Sequence, residues 1–149
     1  MQTNSGPLRK SADRLRLAEQ AAGFGVWEMD LESDVVTLSE GAAALMQFPR
    51  GTVQVMGTAL RNLIGDDDRA RMEAATRCAI EKGEPQELEF KVTLPDGATR
   101  LCRSHGRVEL ANGRPVRMVG AIIDITREKA NMITKAAGGD NNKFLMLSF

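Results

Sequence analysis

Residues 114–130 read RPVRMVGAIIDITREKA, and this stretch changes from apolar to charged within a few positions. The run from Val116 to Ile125 is rich in apolar and β-branched residues, which is typical of a β-strand in a protein core. Charged residues follow at once, where a strand end usually carries Gly, Pro or Asn. The stretch therefore predicts a core strand that leads directly into a helix, at the point where the chain leaves the domain.

Two further strands precede this one and predict an antiparallel arrangement. Residues 87–94 (ELEFKVTL) alternate apolar with charged or polar side chains, and PDG at 95–97 favours a tight turn. Residues 100–110 (RLCRSHGRVEL) then return, and ANGR at 111–114 turns the chain again. The second half of the chain thus predicts three consecutive antiparallel strands.

The first half of the chain predicts a hairpin, several short helices and one long helix. GFGVWEMDL (23–31) and DVVTLS (34–39) have the composition of two strands joined by a polar turn. Residues 40–65 mix short helical patterns with helix breakers, whereas residues 66–83 begin with three aspartates and end in Lys-Gly, as a long helix does. One side of this long helix carries a stripe that predicts burial: Met72, Ala75, Thr76, Ala79 and Ile80.

An N-terminal helix is predicted to begin near Ser11, after a loose lead-in at residues 1–10. Its apolar residues fall on two sides, with Leu15 on one and Leu17 on the other. A short helix of this kind needs two partners. One could be its own domain, and the other a second copy of the chain.

The composition fits one globular domain of the α+β class. Of the 149 residues, 42% are apolar and 27% are charged, and strands and helices are segregated along the chain, which favours an antiparallel sheet. We divide the chain into a lead-in with a flanking helix (1–22), a domain (23–126), and a segment that holds the start of a C-terminal helix and the tail (127–149). Because 20 basic residues balance 20 acidic ones and only 4% are aromatic, nucleic acid is not an expected partner.

The sequence also predicts the cellular compartment. Apolar runs are far shorter than the roughly 20 residues that a bilayer span needs, so we expect no membrane span and a cytoplasmic location. Cys78 and Cys102 form no CxxC pattern, and we expect both to be reduced, with neither a disulfide nor a metal site.

Several segments, in this order and spacing, resemble the PAS family, particularly the subgroup found in bacterial sensor proteins. They are GVWEMDLES (25–33), LPDGATR (94–100) and RSHGRVELANGRPVRMVGAIIDIT (103–126), which closes with DIT. The resemblance extends from about Leu15 to Lys129. It implies a PAS fold: a five-stranded antiparallel sheet in the order 2-1-5-4-3, with helices folded over one face to enclose a pocket.

The resemblance also implies a function, namely a sensory PAS module of a bacterial signal-transduction protein such as a two-component system. Such a module binds a small ligand or a partner and passes the signal through its C-terminal helix to an effector. We expect Asp124 and Thr126 to carry this transmission, with Thr126 capping the following helix and Glu128 in its first turn. A homodimer is expected, through the N-terminal helix and the sheet surface.

Two alternatives to ligand sensing stay open. The module could be a ligand-free PAS scaffold for dimerisation, or the sensory fragment of a histidine kinase or diguanylate cyclase. The positions expected to approach the enclosed pocket could equally form a filled core. They are Trp27, Met29, Leu45, Met46, Phe48, Leu60, Leu63, Ile64, Met72, Phe90, Cys102, Ser104, Met118 and Ile122.

The ligand is unknown from the sequence, but haem and covalently bound flavin are not expected. Haem-binding PAS sensors generally take their histidine from the long helix, and residues 66–83 contain none. The only histidine, His105, shares strand parity with Arg103 and Arg107 and should be exposed. Light-sensing relatives carry a cysteine in a GxNCRFLQ-like motif before the long helix, where this chain reads ALRNLIGDDD (59–68).

No enzymatic activity is expected within the chain. The residues form no nucleophile and base pair, carboxylate dyad or phosphate-binding glycine loop. GGD at 138–140 is similar to part of the GGDEF signature of diguanylate cyclases but continues as NN. KFLMLSF at 143–149 is loosely similar to the approach to a kinase phospho-histidine, yet Phe149 stands where the histidine would be needed.

Overall fold

The computed structural model describes the backbone of residues 5–139 and the side chains of residues 13–134. The tail sequences from residue 140 onward therefore lie outside the described residues. The elements in chain order are α1 (Ser5–Ala22), β1 (Phe24–Asp30), β2 (Val35–Leu38), α2 (Glu40–Leu45), β3 (Gln54–Met56), α3 (Gly57–Arg61), α4 (Asp66–Lys82), β4 (Gln86–Thr93), β5 (Thr99–Ala111), β6 (Arg114–Asp124) and α5 (Thr126–Gly139).

The strands form one antiparallel sheet in the order β3-β2-β1-β6-β5-β4. Without β3 this is the expected order 2-1-5-4-3, so the predicted α+β fold is confirmed. The prediction of only short helices at residues 40–65 is wrong at β3, where Val55 pairs with Val36 of β2. The alternating sequence VQVM suits a strand, but three residues hold this form only by pairing with an existing edge.

Alternate residues of strands β4, β5 and β6 lie on opposite faces of the sheet, as the alternation in the sequence predicts. Cys102, Ser104 and Met118 are buried on the face that the helices cover, which we call the inner face, whereas His105 and Arg107 are exposed on the opposite, outer face. The predicted exposure of His105 is thereby confirmed. This alternation follows from the pleat of a strand, which points successive side chains to opposite sides.

A close approach between Trp27 and the backbone of β5 and β6 shapes the middle of the inner face. Trp27 pairs with Gly120, which in turn pairs with Gly106. A Cβ placed on Gly106 would lie 2.8 Å from Cη2 of the indole, and one on Gly120 would lie 2.7 Å from Cζ2. Two glycines are therefore needed here so that the indole can lie directly against the sheet.

Helix α4 is the predicted long helix and confirms that expectation. Its first turn contains three aspartates, and Gly83 ends it in the left-handed conformation with φ 72° while donating its N–H to the carbonyl of Ala79. The carboxylate of Asp68 accepts hydrogen bonds from the N–H of Lys91 and from Arg71, at 2.9 and 2.7 Å. The beginning of α4 is thus tied to β4.

Helix α1 begins earlier than the sequence predicts. It includes Ser11 as an interior residue, so the expected lead-in is wrong for residues 5–10. Near its other end, the buried carboxylate of Glu19 accepts a hydrogen bond from the N–H of Gly41 at 3.1 Å. This contact fixes the end of α1 to the first turn of α2.

Candidate ligand cavity and its link to the C-terminal helix

A cavity of about 530 Å³ lies between the inner face of the sheet and helices α2, α3 and α4. This volume is within the range of pockets that hold small-molecule ligands. The sheet supplies its floor through β1, β2, β4, β5 and β6, and most of the lining is apolar. The cavity is therefore large enough for a molecule of modest size and not only for a single ion or water.

The structure brings many of the predicted pocket residues together around this cavity. Those that line it are Trp27, Met29, Met46, Leu60, Ile64, Met72, Phe90, Ser104 and Ile122. The others lie elsewhere on the helix-covered side. Leu45 and Cys102 belong to the packed core, and Phe48 and Leu63 pack against that core. Met118 is fully buried, and it pairs with Met29 of β1 and Val108 of β5.

Helix α4 forms one wall of the cavity, and its lining residues make a continuous stripe along the helix. Its lining residues recur at spacings of four: Met72, Thr76 and Ile80 in one row, and Glu73, Arg77 and Glu81 in the adjacent row. Of the buried stripe that the sequence predicts, only Ala79 is fully buried. Met72, Thr76 and Ile80 stay half-buried because the space in front of them is the cavity, and Ala75 is half-buried beside it without lining it.

Sequence reasoning also missed lining residues outside α4, namely Val36, Leu38, Ala42, Gly57, Arg61 and Gln86. The alternation in β2 could have identified Val36 and Leu38 as inner-face residues. Gln86 carries no such signal, since a polar residue directly after Gly-Glu-Pro has the composition of a loop.

A chain of three polar side chains crosses the cavity lining between the sheet and α4. The hydroxyl of Ser104 donates to Oε1 of Gln86 at 3.1 Å, and Nε2 of Gln86 donates to the hydroxyl of Thr76 at 3.0 Å. Gln86 and Ser104 are each only 4% exposed. Their mutual hydrogen bonds explain how these polar groups are buried without a large energetic cost.

The charged residue Arg61 reaches the cavity from α3 but is already paired. Its guanidinium donates two hydrogen bonds to Asp34, at 3.2 and 2.6 Å. Both side chains are 30% exposed, which places the pair at the edge of the cavity and not at its floor. Its main effect is to hold α3 against the turn before β2.

Neither cysteine is a reactive thiolate at neutral pH. Burial raises the pKa of the Cys102 thiol to about 12, and Cys102 does not line the cavity. Cys78 donates a hydrogen bond to the carboxylate of Glu84 at 3.1 Å, which raises the pKa of its thiol. Both are free cysteines.

Asp124 and Thr126, which the sequence predicts to carry transmission, lie where β6 and α5 meet strand β5. The N–H of Thr126 donates to the carboxylate of Asp124 at 2.9 Å. The hydroxyl of Thr126 accepts a hydrogen bond from the N–H of Leu101 at 2.8 Å, and the N–H of Ile125 donates to the carbonyl of Leu101 at the same distance. The expectation that Thr126 caps the helix is therefore wrong, because its hydroxyl extends the sheet pairing instead.

An ionic cluster on the outer face attaches α5 to β4 and β5, and we call it the outer-face cluster. Arg103 contacts Glu89 at 3.0 Å and Glu128 at 3.2 Å, and Lys129 contacts Glu89 at 3.4 Å. The hydrogen bond from Arg103 is the largest cause that lowers the pKa of Glu89. Four side chains from three elements thus hold the first turn of α5 on the sheet.

Comparisons with known proteins agree with this architecture. The PAS fold family model matches residues 35–122. The non-motile and phage-resistance protein of Caulobacter vibrioides is 33% identical, over 80% of this chain and 14% of its own length. The sensor protein FixL of Bradyrhizobium diazoefficiens is 25% identical, over 78% of this chain and 23% of its own length.

A solved structure of similar shape has been determined for a sensory box histidine kinase/response regulator from Burkholderia thailandensis. It is 26% identical with a TM-score of 0.68, and the match covers 84% of this chain and 94% of that one. The chain spans between 10% and 23% of the length of the curated relatives it matches. None of the helices within residues 5–139 combines the length and apolar character that a membrane crossing requires.

Proposed function

Since this chain belongs to the PAS family, we propose that it is the sensory module of a bacterial signal-transduction protein. A small molecule binds in the cavity, and helix α5 carries the resulting change to an effector. The observation that most supports this proposal is the alternation along β4 and β5. Phe90 and Ser104 face the cavity, while their neighbours Glu89 and Arg103 hold α5 from the opposite side.

This alternation gives a direct physical route for the signal. A strand is stiff and its two faces move together, so a ligand that displaces Phe90 or Ser104 also displaces the anchor of α5. Thr126 completes the route because its hydroxyl accepts from the N–H of Leu101 in the same strand, and Asp124 holds the start of α5 by accepting from the N–H of Thr126. We assign signal transmission to these two residues together with the outer-face cluster.

The module itself acts by binding and not by catalysis, and a separate effector supplies any enzymatic step. The similar structure from a histidine kinase/response regulator supports an effector of the histidine-kinase kind, and the sensor protein FixL supports the sensory role. Two free cysteines support a reducing, cytoplasmic location.

A homodimer fits the surface of α1. Leu15 and Leu17 are 45% and 65% exposed in the single chain, and a second copy could cover them. This observation also favours a second candidate function, in which the module only dimerises its parent protein and the cavity holds no ligand.

Native mass spectrometry of the freshly purified chain separates the two functions. Sensing predicts an added mass that disappears on denaturation and is absent from Thr76→Phe, a variant whose new ring occupies the cavity. Ala74→Phe adds the same ring on the exposed side of α4 and serves as the control. A clean dimer without added mass, in the wild type and both variants, would support the scaffold instead.

A further inference from the structure

The polar and aromatic groups of the cavity define the chemical class of its ligand. We infer that the cavity takes an uncharged, flat, largely apolar molecule with an amide-like edge, which hydrogen-bonds Gln86 and Ser104 beside the indole of Trp27. This inference rests on the proposed sensory function and names what is sensed. It follows from three independent features of the lining.

The first feature is the placement of charge, which selects against an ionised ligand. The buried lining residues carry no charge among the described side chains, and the charged ones lie at the edge. There Arg61 is paired with Asp34 at 2.6 Å, and Arg77 lies four residues from both Glu73 and Glu81. An ion in the deep part of the cavity would lose its hydration without gaining a counter-charge.

The second feature is the unused hydrogen-bonding capacity of Gln86. A glutamine amide has two N–H donors and a carbonyl with two lone pairs. Thr76 takes one donor and Ser104 takes one lone pair, at 3.0 and 3.1 Å. One donor and one acceptor remain on the same amide, and a lactam or carboxamide edge offers the complementary acceptor and donor. A hydrocarbon would leave both unsatisfied.

The third feature is the flat floor that Trp27 provides. Cζ2 and Cη2 of the indole approach the backbone at Gly106 and Gly120, so the sheet supports the six-membered ring of Trp27. Trp27 also lines the cavity, where Met72 and Ile80 supply the opposing apolar wall on α4. An aromatic ring stacks favourably on such a surface, in offset or edge-to-face geometry.

Isothermal titration calorimetry with three matched probes tests the ligand class on the full 149-residue chain. Naphthalene-2-carboxamide has the inferred class, naphthalene-2-carboxylate has the same shape with a charge, and 2-ethylnaphthalene lacks the polar edge. We expect the carboxamide to bind about tenfold more tightly than either of the other two. Thr76→Phe should abolish its binding, whereas Ala74→Phe should not.

A pair of glutamine variants assigns the effect to the polar edge. Gln86→Leu should lower the affinity for the carboxamide about tenfold and change the affinity for 2-ethylnaphthalene by no more than about twofold. Gln54→Leu is the matched control, because Nε2 of Gln54 donates to the Thr37 hydroxyl at 3.4 Å outside the cavity. It should change neither affinity.

The outcomes separate this inference from the proposed function. If the carboxylate or 2-ethylnaphthalene binds in the cavity as tightly as the carboxamide, or if Gln86→Leu has no effect, the ligand class is wrong and sensing still stands. If no probe binds and native mass spectrometry shows no added mass, both the ligand class and the sensory function are wrong.

Discussion

The two faces of the sheet perform different tasks. The inner face packs against helices and contains residues such as Met118 and Cys102 that are completely buried. The outer face holds α5 through ion pairs whose side chains are 31% to 51% exposed. Burial of apolar groups contributes far more free energy than exposed ion pairs do. The inner face therefore determines stability, whereas the outer face makes the weaker attachment on which the proposed transmission depends.

The inner face should show the largest effect when a buried side chain is shortened. Met118→Ala should lower the free energy of unfolding by about 2–5 kcal/mol, because it leaves a void among packed neighbours. Met72→Ala is the matched control. Met72 is half-buried beside the existing cavity, so we expect a loss of roughly 1 kcal/mol. Urea denaturation measures both free energies of unfolding. Equal losses would contradict the difference between the packed part of the inner face at Met118 and the open part at Met72.

The attachment of α5 to β5 should show an intermediate effect. Thr126→Val keeps the shape of the side chain but removes the acceptor for the N–H of Leu101. We expect a loss of about 1 kcal/mol in the free energy of unfolding and faster amide exchange in α5. Thr99→Val, at an exposed position of the same strand, is the control. Unchanged exchange in α5 would show that Thr126 does not hold the helix.

The outer-face cluster should show a smaller effect on stability. Glu89→Gln removes the charge that Arg103 and Lys129 share, and we expect a loss below about 1 kcal/mol. Amide exchange should nevertheless rise in α5. Glu109→Gln, which loses a similar pair with Arg117 at 2.8 Å, should leave α5 unchanged. Equal amide exchange of α5 in the two variants would show that the outer-face cluster takes no part in transmission.

The same cluster predicts the pH dependence of α5. Arg103 and then Lys129 lower the pKa of Glu89 below its ordinary value of 4.5. The folded state therefore favours the ionised carboxylate, and this contribution is fully present above pH 4.5 and is lost as the pH falls through the lower folded value. Amide exchange in α5 of the wild type should rise in this window. In Glu89→Gln the rise should be smaller.

The same difference between the faces explains how far the sequence could predict the structure. The alternation in residues 87–94 and 100–110 was sufficient for these two strands and for the exposed position of His105, whereas the order of the strands came from the resemblance to the PAS family. It could not separate Ser104, which lines the cavity, from Cys102, which is packed in the core. Both face inward, and only the distance to the covering helices decides which of them borders a cavity.

Two polar contacts were beyond prediction for a related reason. Gln86 has the composition of a loop residue and becomes important through Ser104 and Thr76, which come from two other elements. Thr126 is a residue type that commonly caps helices, but its hydroxyl accepts a hydrogen bond from the N–H of Leu101 instead. A sequence pattern describes the neighbours along the chain, whereas these hydrogen bonds depend on neighbours in space.

We propose that the state of the cavity on one face of the sheet reaches α5 on the other. Hydrogen exchange of residues 126–134 tests it most directly in three proteins: the wild type, Thr76→Phe and Ala74→Phe. We expect the ring in the cavity to change exchange in this part of α5, and the ring on the exposed side of α4 to leave it as in the wild type. Identical exchange in all three proteins, with Thr76→Phe folded and its cavity filled, would contradict the account.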